Sequence, residues 1–334
     1  MKLVLVTGGT GAIGPRVVDL LRESGYRVRV LVRSPAPDLL PADVELLAGD
    51  VSDPTRVDTA MRGVSIVLHL AAMLHADQDA PPADSDVERV NCGGTENVVA
   101  AAKRHAVERV VHFSSISVYG TTRGLAADES SPVEPANTYA RTKLAGENTV
   151  LCAVRLDGQP LGTVLRLAAV YGSRVKGNYR RLVVALDRGR FIPIGPGTNR
   201  RTVIYDRDAA RAALLAATHP AAAGGLYNAS DGHPRQMREI IECVCQALGR
   251  RPPSFAIPVA VARGSAAVVE RAARLAGARA PLRMSSVDKY LEDLAVDSGR
   301  IQAELGFVPK YDLAQGWTEA VEELRAAGTL RRSG

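Results

Sequence analysis

The chain has 334 residues, 46% of them hydrophobic, 23% charged and 4% aromatic, with a formal net charge of +6. A chain of this length forms one large domain or two unequal ones and buries its core without disulfides or a structural metal, and the composition excludes wholesale disorder and a collagen-like architecture. The charge is uneven: residues 1–170 hold 17 Lys+Arg against 20 Asp+Glu, residues 171–334 hold 25 against 16, which points the second half toward something anionic.

Leu3–Thr7 reads as a first strand. It runs straight into Gly8-Gly9-Thr10-Gly11-Ala12-Ile13-Gly14 and a helix over Pro15–Ser24 that Gly25 stops; proline is tolerated in a first helical turn. The N-terminus lacks the basic region, apolar stretch and cleavage site of a secretion signal. No apolar run reaches the roughly 20 residues that span a bilayer, so a soluble, cytoplasmic protein without a membrane partner is expected. Further strands are predicted at Arg27–Val32, Val44–Ala48, Ile66–Leu70, Val110–Ser114 and Thr163–Leu167, with helices at Asp53–Met61, Val87–His105 and Tyr139–Val154. Strands alternating with helices in this way predict an α/β fold, a Rossmann-type doubly wound parallel sheet covered on both faces. After about residue 168 the rhythm turns helical, with predicted helices at Asn178–Gly189, Asp208–Thr218, Arg235–Leu248, Val259–Ala278 and Trp317–Ala326, and a frayed tail after Gly328. The expected division is a dinucleotide-binding domain over 1–168, with some return of the chain near 203–228, and a mainly substrate-binding α/β domain over 169–330. Cys92, Cys152, Cys243 and Cys245 are scattered, without accompanying His at ligand spacing. They are expected to be buried thiols in a reducing compartment, with no metal site. The Ala/Arg-rich helix Val259–Ala278 is taken as a solvated face rather than a nucleic-acid arm.

Between a strand and a helix, glycines permit a tight turn and let backbone N–H groups approach a pyrophosphate at the helix N-terminus. Gly8, Gly11, Ala12, Ile13 and Gly14 are therefore candidate cofactor contacts. An NAD site usually carries an acid at the end of the second strand to hold the ribose hydroxyl. Here that place holds Arg33 followed by Ser34. The arginine suits a 2′-phosphate, so NADP(H) is favoured; were Arg33 only to stack over the adenine, NAD(H) would serve too. Asp50 and Val51 are placed to meet the adenine edge.

Tyr139 and Lys143 are four apart and share one helix face. A tyrosine with a pKa of about 10 is a poor acid–base group at neutral pH, and a neighbouring ammonium would lower that value. Ser114 and Ser115 end the strand Val110-Val111-His112-Phe113, at the sheet edge where ligands bind, and a hydroxyl there can polarise the carbonyl that the tyrosine protonates.

With these features the chain resembles the extended short-chain dehydrogenase/reductase family, the NAD-dependent epimerase/dehydratase group. The resemblance rests on TGGTGAIG (7–14), Gly49-Asp50-Val51, His69-Leu70-Ala71-Ala72, NCGGT (91–95), SSISVYG (114–120), YARTK (139–143), RLAAVYG (166–172), Asn199–Asp208 and DSGRIQAELGFVP (297–309). It implies that Ser115 is the catalytic serine, that Tyr139 is the acid–base residue and that Lys143 binds the nicotinamide ribose and tunes Tyr139. It further implies cofactor contacts at Leu70, Ala71 and Ala72, and a homodimer joined through Val87–His105 and Tyr139–Val154. Ile116 and Ser117 stand where the group's sugar 4,6-dehydratases carry an Asp-Glu pair, which argues against water elimination. Ala169 stands where many of its epimerases place an Asn.

Residues 174–201 carry eight basic residues and one acid, Asp187, in the region where the resemblance puts a substrate lid. Guanidinium groups bind phosphate bidentately, and Arg201 aligns with an arginine that holds a nucleotide diphosphate. Ser114, Ser117, Asn178 and Arg201 are the expected substrate contacts; the bland alternative is a solvated segment with scattered charges. The leading expectation is an NAD(P)-dependent reductase acting on the keto group of a nucleotide sugar or similar glycosyl compound, an anionic small molecule and not a nucleic acid. The alternatives are an NAD-dependent nucleotide-sugar epimerase, a small-alcohol or steroid-type dehydrogenase, and a non-catalytic dinucleotide sensor, against which the intact Tyr139 and Lys143 argue.

Overall fold

Every residue of β1 (Leu3–Thr7) is buried, as befits a strand covered on both faces. Its side chains alternate: Val4 and Val6 enter one apolar cluster, Leu3 and Leu5 the other. The computed structural model describes residues 1–34, 39–74, 82–175, 177–275 and 283–331. After β1 come α1 (Gly14–Glu23), β2 (Arg27–Val32), β3 (Glu45–Ala48), α2 (Pro54–Met61), β4 (Ile66–His69), α3 (Asp84–Glu88), α4 (Gly94–Arg104) and β5 (Arg109–Ser115). The chain continues through β6 (Ala126–Ala127), α5 (Thr138–Leu151), β7 (Gly162–Leu167), β8 (Ala169–Tyr171), α6 (Asn178–Asp187), β9 (Arg200–Arg201), β10 (Val203–Tyr205), α7 (Asp206–Thr218) and β11 (Leu226–Ala229). It ends with β12 (Arg235–Gln236), α8 (Met237–Leu248), α9 (Val259–Leu275), α10 (Met284–Leu291), β13 (Ala295–Val296), α11 (Gly299–Leu305) and α12 (Leu313–Ala326).

Seven strands form one parallel sheet in the order β11-β7-β5-β4-β1-β2-β3. α2, α4 and α5 supply Val57, Met61, Val98 and Val150 to the core on one face. α1 and α7 supply Val17, Leu21 and a run of alanines, including Ala209, Ala213 and Ala216, to the other. The small side chains of α7 let it lie close to both α1 and the sheet. The doubly wound sheet is thus as expected. A further apolar cluster gathers Tyr171, α6, α8 and α12 around Trp317, whose indole stacks on Tyr171 at 4.4 Å between centroids.

Five expectations are corrected. The helix expected over Val87–His105 is three pieces, because a π turn at Arg89–Gly93 separates α3 from α4. The C-terminal helix starts at Leu313 rather than Trp317, because Asp312 and Gln315 form a reciprocal capping box ahead of it. The tail is packed through Arg331: Leu330 is buried, and the Arg331 N–H donates to Asp187 at 3.2 Å. Of the cysteines only Cys245 is buried; Cys152, just past the end of α5, is exposed, and Cys92 and Cys243 are half-buried. Arg235 also lies in β12, paired with β9, rather than in a helix. The last residues of the helix predicted to Ala278 fall outside the described residues. No helix of the described residues is long and apolar enough to cross a membrane, and no metal-ligand cluster exists among them.

Candidate active site

The loop between β1 and α1 is shaped by close approach. Gly8 adopts φ +74°, and a Cβ there would lie 2.6 Å from the Ala71 nitrogen. A Cβ on Gly14 would lie 2.3 Å from the Gly9 carbonyl. The Gly11 N–H closes the turn on the Gly8 carbonyl at 2.9 Å. Ile13 precedes α1 with no side-chain cap, so the N–H groups of the first turn have no partner within the helix. That is the donor set a pyrophosphate takes, and the loop fits a dinucleotide.

At the same edge of the sheet, β5 delivers Ser115 and α5 delivers Tyr139 and Lys143. Ser115 accepts the Ser117 N–H at 3.2 Å, capping the short 3-10 turn at Ile116–Tyr119. Asn137 caps α5 through the Ala140 N–H at 2.9 Å, which sets the first turn that carries Tyr139. Burial pushes the Tyr139 phenol up to about 12, with Ser115 pulling the other way. Lys143 is buried and donates to the Phe113 carbonyl at 2.6 Å. Burial brings its ammonium down to about 8, against the pull of Glu147. The Lys143 ammonium is thus engaged with the β5 backbone, and desolvation dominates the phenol. Tyr139 accordingly keeps its proton at neutral pH.

Ser114 lies elsewhere. It is buried on the opposite side of β5 from Ser115, where its hydroxyl donates to Glu147, so the expectation that it meets substrate is corrected by strand alternation. Glu147 also takes a bidentate pair from Arg166, at 2.9 Å from Nε and 2.6 Å from Nη2, and the Arg166 guanidinium sits 4.8 Å above the Tyr119 ring. This buried ion pair stands one helical turn behind Lys143.

A hydrogen-bond chain joins the glycine loop to α5. Thr95 donates to the Asn91 carbonyl at 2.6 Å, so its single proton is committed and it accepts from His69 Nε2 at 3.0 Å. His69 Nδ1 then accepts from Thr7 at 2.7 Å, and Thr7 Oγ1 receives the Ala71 N–H at 3.3 Å. The Asn91 side chain bonds both backbone groups of Met73, at 2.7 and 3.1 Å, and donates to Thr142 at 3.0 Å. Thr142 donates in turn to the Tyr139 carbonyl at 2.9 Å. The π turn at Arg89–Gly93 places Asn91 for this.

His69 is buried, and burial followed by the charge of Lys143 pushes it down to about 3. Its folded value lies below the unfolded one, so its share of stability is full above pH ~6.5 and is lost as pH falls toward 3. The loss should reach about 1.4 kcal/mol per pH unit across that window, with buried His112, also held low by burial, adding in the same direction. Urea unfolding of His69→Asn should show a slope shallower by up to that amount between about pH 6 and 4; an unchanged slope would remove His69 from the acid lability.

At the far end of the loop the Asp50 carboxylate accepts the Ser52 N–H at 2.8 Å and its hydroxyl at 2.7 Å. Partial burial raises Asp50, but Ser52 and then the charges of Arg33 and Arg89 outweigh it and hold the carboxyl below its usual range. Arg33 and Ser34 are exposed. Val51 is buried, with its carbonyl accepting from Asn97 at 3.0 Å, and Leu70, Ala71 and Ala72 line the exit of β4 in partly buried positions.

The expected substrate contacts are dispersed. Ser117 has a buried hydroxyl with no protein partner. Asn178 is exposed at the start of α6, and Arg201 on β9 donates to the Lys289 carbonyl, with its charge reaching the phenols of Tyr179 and Tyr290. The basic run 174–201 does not converge on one patch: Arg180 reaches Thr329 at 3.4 Å, Arg188 and Arg190 line a surface cavity with Gly328–Arg331, and Lys176 lies outside the described residues. Sequence reasoning missed Thr142, Glu147 and Arg166. Thr142 lies inside the YARTK motif and Glu147 lies four residues past Lys143, but neither spacing names its partner.

A seven-stranded parallel sheet with a glycine loop after β1 and a Ser-Tyr-Lys set at its edge defines a Rossmann-like dinucleotide enzyme. The chain matches the model of the NAD dependent epimerase/dehydratase family over residues 4–230 and belongs to that family, within the extended short-chain dehydrogenases/reductases. It is 30% identical to a 3 beta-hydroxysteroid dehydrogenase/Delta 5-->4-isomerase of Mycobacterium tuberculosis strain H37Rv, covering 95% of this chain and 89% of that protein. It is 31% identical to a 2-alkyl-3-oxoalkanoate reductase of Stenotrophomonas maltophilia, covering 94% of this chain and 96% of that one. The solved Thermus thermophilus UDP-glucose 4-epimerase in complex with NAD superposes with TM-score 0.76 at 25% identity, covering 98% of this chain and all of that one (100%).

Proposed function

We propose that this enzyme uses NADP(H) to reduce a keto group on a nucleotide sugar or similar glycosyl compound, with Tyr139 as proton donor. The observation that carries the reading is the meeting of Ser115, Tyr139 and Lys143 at the sheet edge beside the glycine loop. When bound, the nicotinamide supplies a hydride to the carbonyl carbon. Gly8, Gly11, Ala12, Ile13 and Gly14 would hold the pyrophosphate, Lys143 the nicotinamide ribose, Asp50 and Val51 the adenine, and Arg33 with Ser34 the 2′-phosphate. Ser115 orients the carbonyl oxygen and Tyr139 delivers its proton to it. Residues 1–168, with the return of the chain near 203–228, carry the cofactor, and residues 169–330, with Ser117, Asn178 and Arg201, carry the substrate.

A second reading is favoured by the steroid dehydrogenase and the oxoalkanoate reductase: the ketone is apolar rather than glycosyl. An NADPH-oxidation screen over keto-sugar nucleotides, a 3-ketosteroid and a 2-alkyl-3-oxoalkanoate, run beside UDP-glucose epimerisation, separates the readings. Turnover only with the apolar ketones would replace the first by the second; epimerisation without added cofactor would overturn both. Arg33→Asp should move the preference from NADPH toward NADH by roughly tenfold or more, because a carboxylate repels a 2′-phosphate and accepts from a ribose hydroxyl. The ratio of kcat/KM for the two cofactors reads it, and an unchanged ratio would sink the NADP(H) assignment.

A further inference from the structure

α9 leaves three of its larger apolar side chains facing away from the protein, while Val259 and Val269 are half-buried. Its buried residues are alanines, Ala262 and Ala266, packed with Val287 of α10 and the partly buried Ile194, Ile257 and Leu291. On the other side Val261, Val268 and Leu275 are 55%, 69% and 84% exposed. With the exposed Gly264 and Ala272 they follow steps of three and four, so they form one stripe along the helix, roughly 21 Å long. Burial of the inner face therefore leaves Val261, Val268 and Leu275 without an apolar partner among the described residues.

The charges beside the stripe decide what covers it. Glu270, the only acid on α9, is held by the Met284 N–H at 2.9 Å, and Arg263 is paired with Asp288 at 2.9 Å. Arg271 and Arg274 are exposed and make no ion pair among the described residues. A second copy laid on this face would bring the same uncompensated positive charges into one interface. An acidic lipid surface would neutralise them while the stripe enters the headgroup boundary. We propose that the outer face of α9 docks this protein on an anionic bilayer surface, without crossing it. This goes beyond the reading of the catalytic site and does not depend on it. The expectation of no membrane partner rested on the absence of a spanning segment, which a helix lying in the interface does not need. The α9–α10 unit is also tied to the segment leading to Arg201: Gly195 and Ile257 donate to the Ile257 and Pro193 carbonyls, both at 2.8 Å.

The test is sedimentation of the full chain with vesicles of phosphatidylcholine alone and of equal parts phosphatidylcholine and phosphatidylglycerol. Binding is expected to the mixed vesicles, weakening as salt is raised. Val268→Glu combined with Leu275→Glu, and separately Arg271→Glu combined with Arg274→Glu, should each lower the partition by roughly tenfold or more. Circular dichroism and cofactor binding should stay unchanged, because these side chains lie outside the cores. No binding to the mixed vesicles, equal binding to both compositions, or full binding by both variants would overturn the proposal. So would light scattering that shows a dimer dissolved by the Val268→Glu, Leu275→Glu variant, since a second copy would then cover the stripe.

Discussion

Tyr139→Phe is expected to lower kcat for ketone reduction by about 10²–10⁴-fold, the range for losing a positioned acid, with NADPH binding nearly unchanged. The phenyl ring occupies the same half-buried place at the start of α5, and the glycine loop, Lys143 and Arg33 are untouched, so what disappears is the hydroxyl next to Ser115 that the proposed reaction uses as proton donor. Ser115 can still polarise the carbonyl, which leaves a residual rate. Stopped-flow NADPH oxidation measures the step, and NADPH fluorescence titration measures binding. Full retained activity would remove Tyr139 from the chemistry. A parallel loss of binding would show instead that the ring holds the cofactor pocket together.

Glu147→Leu is expected to destabilise the fold by about 3–5 kcal/mol, because it leaves Arg166 buried without its counter-charge. Both Glu147 oxygens take the guanidinium, and Ser114 uses one of them as well, so one substitution strands two donors in the layer between β5, β7 and α5. Removing both charges should be far milder, since an apolar replacement of a buried pair is often close to neutral. Glu147→Leu with Arg166→Met should thus recover most of the loss. Urea unfolding of the wild type, the two single variants and the double variant closes the cycle; a double variant as unstable as Glu147→Leu alone would show that the pair's worth lies in packing rather than charge. The loss would also reach the site, since Glu147 pulls the neighbouring Lys143 upward against its burial.

Much of the site is legible from spacing. Tyr139 and Lys143 share a helix face because of the helical period, and the glycines of residues 8–14 stand between a strand and a helix because both neighbours have clear periods. Ser115 and Ser114 illustrate the limit. Both end one strand, and period two says they face opposite ways, but which of them faces the site depends on how β5 sits against β7 and α5. Lys143 was legible as a residue but not in its behaviour, because the carbonyl it bonds belongs to Phe113, thirty residues earlier on β5. The π turn around Asn91 interrupts a stretch whose apolar pattern continues through it, so periodicity alone reads one unbroken helix.

In the sequence, the basic excess of the second half points to a patch for a phosphorylated ligand. The structure disperses it: Arg180 and Arg190 turn toward the C-terminal tail, Arg201 toward α10, and Arg271 and Arg274 border an apolar stripe on α9. What the sequence determined by itself was the order of strands and helices, the glycine loop and the Tyr-Lys helix face, because these depend on neighbours a few residues apart along the chain. What only the tertiary structure decided was which serine stands beside Tyr139, what Lys143 bonds, how His69 and Glu147 are held, and which side of α9 is left open. Those depend on desolvation and on pairs far apart in sequence, and both arise only when the sheet and its helices close around them.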